Sequence, residues 1–329
     1  MKKNELIGIG IVRYNKAQLS AILGLTDLFY IANRLSAAHS TQGYTHLYVS
    51  HWEWDIVADL PSCTFQSDPG REDELTAIIL PPTLSEPISG NSASAWLDWL
   101  QQHHAKGSIL GSVCAGAFLL GETRLLDGRE VTTHWTYAEQ FQARFPSVRL
   151  NADRLIIDDG DIITAGGAMS WTDLGLRLVE RFLGPIIMLE TARMLLVDPP
   201  GREQRYYSVF NPKLTHGDAA ILKVQHWLQV TEAAETSLPI LAKRANLELR
   251  TFQRRFRKAT GMTITEYCQR LRVGKARELL QFSTLSLDRI AWQIGYSDSG
   301  AFRKVFTKFV GLSPSDYRRR FNARQQSDH

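Results

Sequence analysis

The chain has 329 residues, 44% of them hydrophobic, 10% aromatic and 22% charged. That balance describes folded globular structure and excludes collagenous, disordered or disulfide-stapled chains, and the length gives room for two domains. The net charge of +4 is unevenly spread: residues 218–329 hold 20 Lys+Arg against 10 Asp+Glu, and residues 1–217 hold 18 against 24. A tail of net +10 on a body of net −6 fits an electrostatic partner for the tail, and on charge alone a solvated face or an RNA partner fits equally well. No apolar run reaches the roughly 18 residues of a membrane span. The segment after Met1-Lys2-Lys3-Asn4-Glu5 is short for a signal sequence and has no small-residue cleavage site behind it. The expected location is therefore the cytoplasm, with no membrane partner. Cys63, Cys114 and Cys268 lie far apart, forming neither a metal-ligand pair nor a disulfide framework.

In chain order, the apolar run 6–12 predicts a strand, and Leu19, Leu23, Leu28 and Ile31 follow at helical spacing. Residues 47–49 and 56–57 are shorter strand candidates. The run 75–80 predicts a further strand ending at Pro81-Pro82. Trp96, Leu97 and Leu100 mark a helix, 108–113 a strand and 115–120 a helix. Residues 161–164 predict another strand and 171–182 a long helix. This alternation predicts an α/β domain over 1–196, a flavodoxin-like parallel sheet with helices on both faces. Residues 197–213 contain three prolines and a glycine without a clear period, so 197–217 is expected to be a linker. Beyond it only helical signals remain, and 218–329 is expected to be an all-α domain.

That last region repeats itself after about 50 residues. Phe252, Phe256, Gly261 and Tyr267 recur as Phe302, Phe306, Gly311 and Tyr317, and Leu241-Ala242 recurs as Ile290-Ala291. Each copy reads as helix, tight turn, helix. Asn246 and Gly295 stand at the turns, Ser237 and Ser286 at the first caps, and Gly261 and Gly311 at the stops. Thr263 and Glu266 have capping-box spacing. The paired phenylalanines at i, i+4 define the buried faces. The opposite faces carry Arg250, Gln253, Arg254 and Arg257 in one copy, and Gly300, Arg303, Lys304 and Thr307 in the other. Long donors at that spacing suit base edges in a major groove, where Arg pairs with guanine and Gln with adenine. Arg244, Arg255, Arg272, Lys308, Arg318 and Arg319 are expected at phosphates, which position without reading sequence.

The strings LAKRANLELRTFQRRF (241–256), IAWQIGYSDSGAFRKVF (290–306) and GLSPSDYRRRF (311–321) resemble the AraC-type DNA-binding domain. The resemblance implies seven helices that set two recognition helices in successive major grooves of double-stranded DNA, about 34 Å apart. One departure is Glu248, a poor cap where the family has Ser.

In the body, Cys114 stands between Ser112 and Gly116 where an apolar strand turns into a helix. Small neighbours suit a sharp strand-to-helix turn, and a helix N-terminus favours a thiolate. His134 follows a second strand end. A catalytic pair and a merely structural pair remain equally open on the residues themselves. The strings GSVCAGAFLL (111–120), LDGREVTTHW (126–135) and TAGGAMSWTDLGL (164–176) resemble the class I glutamine amidotransferase-like domain of the ThiJ/PfpI superfamily. Fused to an AraC-type domain, this resemblance implies a regulator that senses a small nitrogen-containing metabolite, works as a homodimer and activates transcription through RNA polymerase. Three departures count against catalysis: Ala115 follows the cysteine where hydrolases have His, the turn 14–20 carries no acid, and Pro81-Pro82 has no N–H for an oxyanion. The expectation is a non-enzymatic sensor without cofactor or metal, its ligand near Cys114, His134, Asp27, Met169, Ser170 and Trp171. The alternative is a bifunctional protein whose first domain is an active cysteine hydrolase or amidotransferase.

Overall fold

A computed structural model describes residues 6–39, 45–69, 74–199 and 201–322. The readings at Met1–Glu5, at Pro200 and at the end of the basic tail lie outside the described residues. The chain divides into two compact units, Met1–Gln204 and Arg205–His329.

The first unit runs β1 (Leu6–Val12), α1 (Leu19–His39), β2 (His46–Asp55), β3 (Leu60–Gln66), β4 (Leu75–Leu80), α2 (Gly90–Ala105), β5 (Ile109–Val113) and α3 (Gly116–Glu122). It continues with β6 (Glu130–Val131), α4 (Ala138–Arg144), β7 (Arg149–Leu150), β8 (Ile156–Asp158), β9 (Ile162–Ala165), α5 (Trp171–Leu183) and α6 (Pro185–Leu195). Seven strands form one sheet in the order β3-β2-β1-β4-β5-β9-β8, and β6 pairs separately with β7. The inner strands are parallel, and β3 and β8 close the edges antiparallel. β1 and β4 are buried almost throughout, as strands covered on both faces must be. The chain leaves β1 for β2 and β3, then returns across β1 to β4. The strand order therefore reverses between β1 and β4, the switch point where open α/β sheets form a crevice.

Two local expectations fail here. Residues 56–57 are not a strand: Ile56 and Val57 are 89% and 97% exposed in a turn. Asp55 Oδ1 accepts from the Val57 and Ala58 N–H groups, and Asp59 takes a positive φ of 53°. This side-chain turn overrides the β preference of two branched residues. β2 instead runs on through Trp54 and pairs with β3, which was not anticipated. α6 was also missed. It starts at Gly184, with φ 90°, and Pro185, whose fixed φ suits a first helical turn.

The second unit holds α7 (Ala219–Val230), α8 (Leu238–Arg244), α9 (Leu249–Thr260), α10 (Ile264–Phe282), α11 (Leu287–Gln293), α12 (Ser299–Val310) and α13 (Pro314–Phe321). The turn residues are as read: Asn246, Gly261, Gly295 and Gly311 all have positive φ. There are two cores. Phe252, Phe256, Tyr267 and Cys268 sit in one, and Phe302, Phe306, Val310 and Tyr317 in the other. α10 serves both, giving Ile264 to the first and Val273, Ala276 and Leu280 to the second. The sequence repeat becomes a geometric one: Phe256 meets Tyr267 at 5.3 Å between centroids, and Phe306 meets Tyr317 at 5.5 Å, both edge-on.

Caps follow in part. Ser286 and Thr263 accept from N–H groups three residues on. Glu266 turns to Arg270 at 3.0 Å, so only half of the capping box forms. Ser237 makes no side-chain cap bond.

The stretch 197–217 is not free chain. Gln204 is 2% exposed within the first unit. Its Nε2 donates to Thr132 Oγ1, Thr133 O and Arg154 O at 2.9 Å each, and its Oε1 accepts from Trp135 N at 3.1 Å. In the second unit, the buried Arg277 donates to the carbonyls of Arg205, Tyr206 and Ser208. A period-less stretch rich in Pro and Gly thus gains its order from tertiary hydrogen bonds.

Candidate nucleic-acid interface and small-molecule cavity

On α9 the buried Phe252 and Phe256 turn Arg250, Gln253, Arg254 and Arg257 outward, all exposed. On α12, Phe302 and Phe306 do the same for Gly300, Arg303, Lys304 and Thr307. Each outward face is therefore open to solvent, and the phenylalanines behind it hold the helix against its core. The two helices differ at their starts. Asp298 caps α12 by accepting from Gly300 and Ala301 N–H groups at 2.9 and 2.8 Å, which holds its carboxyl below the usual range. Glu248 offers α9 no side-chain cap.

The residues expected at phosphates divide into two groups. Arg244, Lys308 and Arg319 are exposed. The Arg244 guanidinium lies 4.1 Å from the Trp227 ring centroid, and Arg319 reaches Asp316 at 2.7 Å. Arg255, Arg272 and Arg318 are half-buried and bond acceptors in elements distant in sequence. Arg255 grips both oxygens of Asp218, the α7 cap, at 2.7 and 2.9 Å. Arg272 bonds Ala233 O and the turn carbonyl Gly295 O, and Arg318 bonds Leu285 O. These three arginines reach four acceptors distant in sequence, so spacing alone gave no sign of them.

In the first unit, Cys114 occupies the sharp turn between β5 and α3 with φ 54°. Its N–H donates to Ala165 O at 2.7 Å, and its carbonyl accepts from Thr133 Oγ1 at 2.7 Å. Gly116 is required for a further reason: a Cβ there would strike the Leu80 and Pro81 carbonyls. Burial works against the expected thiolate. The thiol is 3% exposed, and burial pushes its pKa up to about 11, with only the Ala115 N–H opposing. Desolvation outweighs the helix N-terminus here. The ionisable neighbours in charge range are the phenols Tyr14 and Tyr137, and Tyr14 donates to Pro81 O and is itself kept protonated by burial. His134 is half-buried, and its Nδ1 accepts from Thr136 N at 3.2 Å. Burial lowers its pKa and favours the neutral ring.

The other expected ligand residues scatter. Asp27 is exposed on α1, away from the sheet. Trp171 packs against Gly24 of α1, so its indole fills a helix–helix contact. Ser170 is buried, and Met169 is 58% exposed with its sulfur 3.9 Å from Gln18 Nε2. A cleft among the described residues lies elsewhere. A cleft of about 860 Å³ opens where β1, β2 and β4 end, at the switch point. Arg13, Lys16, Glu53, Trp54, Glu86 and Trp96 contribute to its wall, Tyr14 closes its floor toward Cys114, and none of the six expected residues lines it. Only the sheet's strand order brings these residues together. A Trp beside a Glu at a strand end, as at Glu53-Trp54, was the one available signal.

Residues 241–320 match the helix-turn-helix domain family and residues 69–181 match the DJ-1/PfpI family. The chain is 29% identical over 232 residues to the HTH-type transcriptional regulator CdhR of Pseudomonas aeruginosa, covering 68% of this chain and 67% of that one. It is 28% identical over 238 residues to the HTH-type transcriptional regulator GlxA of Rhizobium meliloti, with 71% and 72% covered. The HTH-type transcriptional activator RhaS of Salmonella schwarzengrund is 36% identical over 104 residues, 32% of this chain and 37% of that one. The protein is a DNA-binding transcription regulator. In particular, it joins an N-terminal DJ-1/PfpI domain to a C-terminal helix-turn-helix domain of the AraC type. No helix among the described residues is long and apolar enough to cross a membrane.

Proposed function

We propose that this regulator binds a small nitrogen-containing metabolite in the switch-point cavity, without chemistry at Cys114, and thereby alters transcription from its operators. The cavity carries the reading. Its Trp54 indole and the Glu86 carboxylate suit an ammonium group, Glu53 already pairing with Arg13 at 2.8 Å, and Lys16 suits an anionic end. The protonated, enclosed thiol with a phenol beside it supports a non-catalytic role, because a cysteine nucleophile needs a thiolate and an oriented base. A thermal-shift screen of amines and amino acids on the full chain tests this. A saturating ligand at about 100 times its Kd stabilises by about 2.7 kcal/mol. Glu86→Gln should lose that shift and Cys114→Ser should keep it. Loss of the shift in Cys114→Ser with retention in Glu86→Gln would sink the assignment.

A homodimer is supported by an apolar surface on two helices that touch each other: Leu23 and Tyr30 on α1, Ile186 and Met194 on α6, each at least 58% exposed. Asp27 lies within this face. A two-fold interface of that kind would present two DNA-binding units to a repeated operator. Leu23→Asp should then sediment as a monomer. Activation through RNA polymerase is part of the same proposal, and a promoter fusion that falls on induction of the protein would contradict it.

A further inference from the structure

Gln204 is the only buried residue among those described in 197–217, and polar contacts alone hold it there. Its amide fills a slot made by the Thr132 hydroxyl, the Thr133 and Arg154 carbonyls and the Trp135 N–H. Gly166 makes the room, since a Cβ there would fall on the Gln204 amide. The walls of this slot also flank the Cys114 turn. Thr133 Oγ1 donates to Cys114 O, and the Ala165 carbonyl, next to Gly166, accepts from the Cys114 N–H. Trp135 stacks with His134 at 5.8 Å between centroids.

The anchors on either side of Gln204 are of another kind. Arg202 donates to Asp173 Oδ2 at 2.6 Å, and Asp173 is 1% exposed. Parting that pair would strand a buried charge, so it is a fixed point. On the other side, the Arg205 carbonyl is held by Arg277 at 2.6 Å within the second unit. Glu203 lies between them and meets only the exposed Arg154 at 3.7 Å, a weak surface pair. Gln204 is therefore the fastening that water can replace. An amide exchanges protein for water hydrogen bonds at small net cost, and its release uncovers no apolar side chain of its own.

We propose that Gln204 is a latch on the connector. Seated, it leaves no slack between the two fixed points and holds the DNA-binding unit on a short tether. Released, it frees Glu203 and Gln204, roughly 7 Å of chain, and operator binding selects this form. A duplex that must meet two recognition helices at once restricts the orientation of the DNA-binding unit, and a tether with slack meets that restriction more readily. Because the slot shares its walls with the Cys114 turn, a rearrangement in the first unit can reach the latch. The latch rests on the regulator reading and is independent of which molecule the cleft binds.

Hydrogen exchange at the Trp135 amide reports the latch directly, because Gln204 Oε1 is its acceptor. The full chain is measured alone and with a duplex that the wild type selects from random sequence. The operator should speed Trp135 exchange at least about threefold. Gly166→Ala drives the amide from the slot while leaving Gln204 in place. It should exchange rapidly with or without DNA and bind operator about 3–10-fold more tightly, because the released form is already populated. Gln204→Ala should match it in both respects. Unchanged or slowed Trp135 exchange on operator binding overturns the proposal. So does unchanged or weaker operator affinity in both variants, whatever their melting temperatures, since an amide with a purely structural role would lower stability without tightening DNA binding. A wild type that selected no duplex would count against the regulator reading; one that selects a duplex and leaves Trp135 unmoved counts against the latch.

Discussion

Cys114 offers a direct measure of which physical effect governs the first unit. Its thiol ordinarily titrates at 9.0 and is pushed up to about 11 by burial. Two units mean about 100-fold less thiolate at neutral pH, since each unit is a factor of ten, or about 1.4 kcal/mol. Alkylation by iodoacetamide requires thiolate, so Cys114 should react at least about 100-fold more slowly than an ordinary thiol at pH 7.5. Its rate should rise about tenfold per pH unit and level off only near 11. The half-exposed Cys63 serves as comparator within the same chain, read by peptide mass spectrometry. The linkage to stability has a definite sign. The native state holds this proton more tightly than the unfolded chain, so the contribution is complete below about pH 9 and is lost as pH rises through about 11. Cys114→Ser should therefore flatten the fall in stability over that window by up to about 2–3 kcal/mol. Rapid labelling of Cys114 at pH 7, with a plateau below pH 8, would refute the reasoning. The helix N-terminus would then have prevailed over desolvation, in favour of the alternative in which the first domain is an active cysteine enzyme.

Three other expectations concern the DNA-binding unit and the connector. Arg254→Ala should weaken binding to a preferred operator by about 1–3 kcal/mol and relax one base preference, read by competition among single-base operator variants. Phe306→Ala removes a fully buried ring and should cost about 3–5 kcal/mol in the second core. Because the first core has its own residues, hydrogen exchange should then show α12 opening well before α9. Gln204→Ala strands the Trp135 N–H and removes the donor to three oxygens, so a loss of about 1–3 kcal/mol is expected in chemical denaturation. A change within about 0.3 kcal/mol would show that water replaces the amide without cost.

Much of the second unit was legible because its signals are local. Phenylalanine pairs at i, i+4, a glycine or asparagine at each turn and a spacing of about 50 residues each act within one helix or one turn, and the repeat states them twice. The recognition faces followed, since a helix with one buried stripe leaves the opposite stripe exposed. The parallel sheet was readable for the same reason, from apolar runs too continuous for half-exposed strands. The elements that were lost depend on partners far away in sequence. β3 exists because β2 continues past Ser50 and needs an edge neighbour. The strand guessed at 56–57 gave way to a turn closed by Asp55.

The sequence by itself determined the class of protein, because two Phe-backed helices with cationic outer faces are encoded within short windows. Only the tertiary structure decided where the first unit leaves an open crevice and which arginines bond acceptors across the fold. Strand order gathers Arg13, Glu53, Glu86 and Trp96 at one crevice, and Arg255, Arg272 and Arg318 find carbonyls and a carboxylate across the fold. It also decided the state of Cys114. A helix N-terminus can be read from spacing, but the burial that outweighs it is a property of everything packed around the thiol.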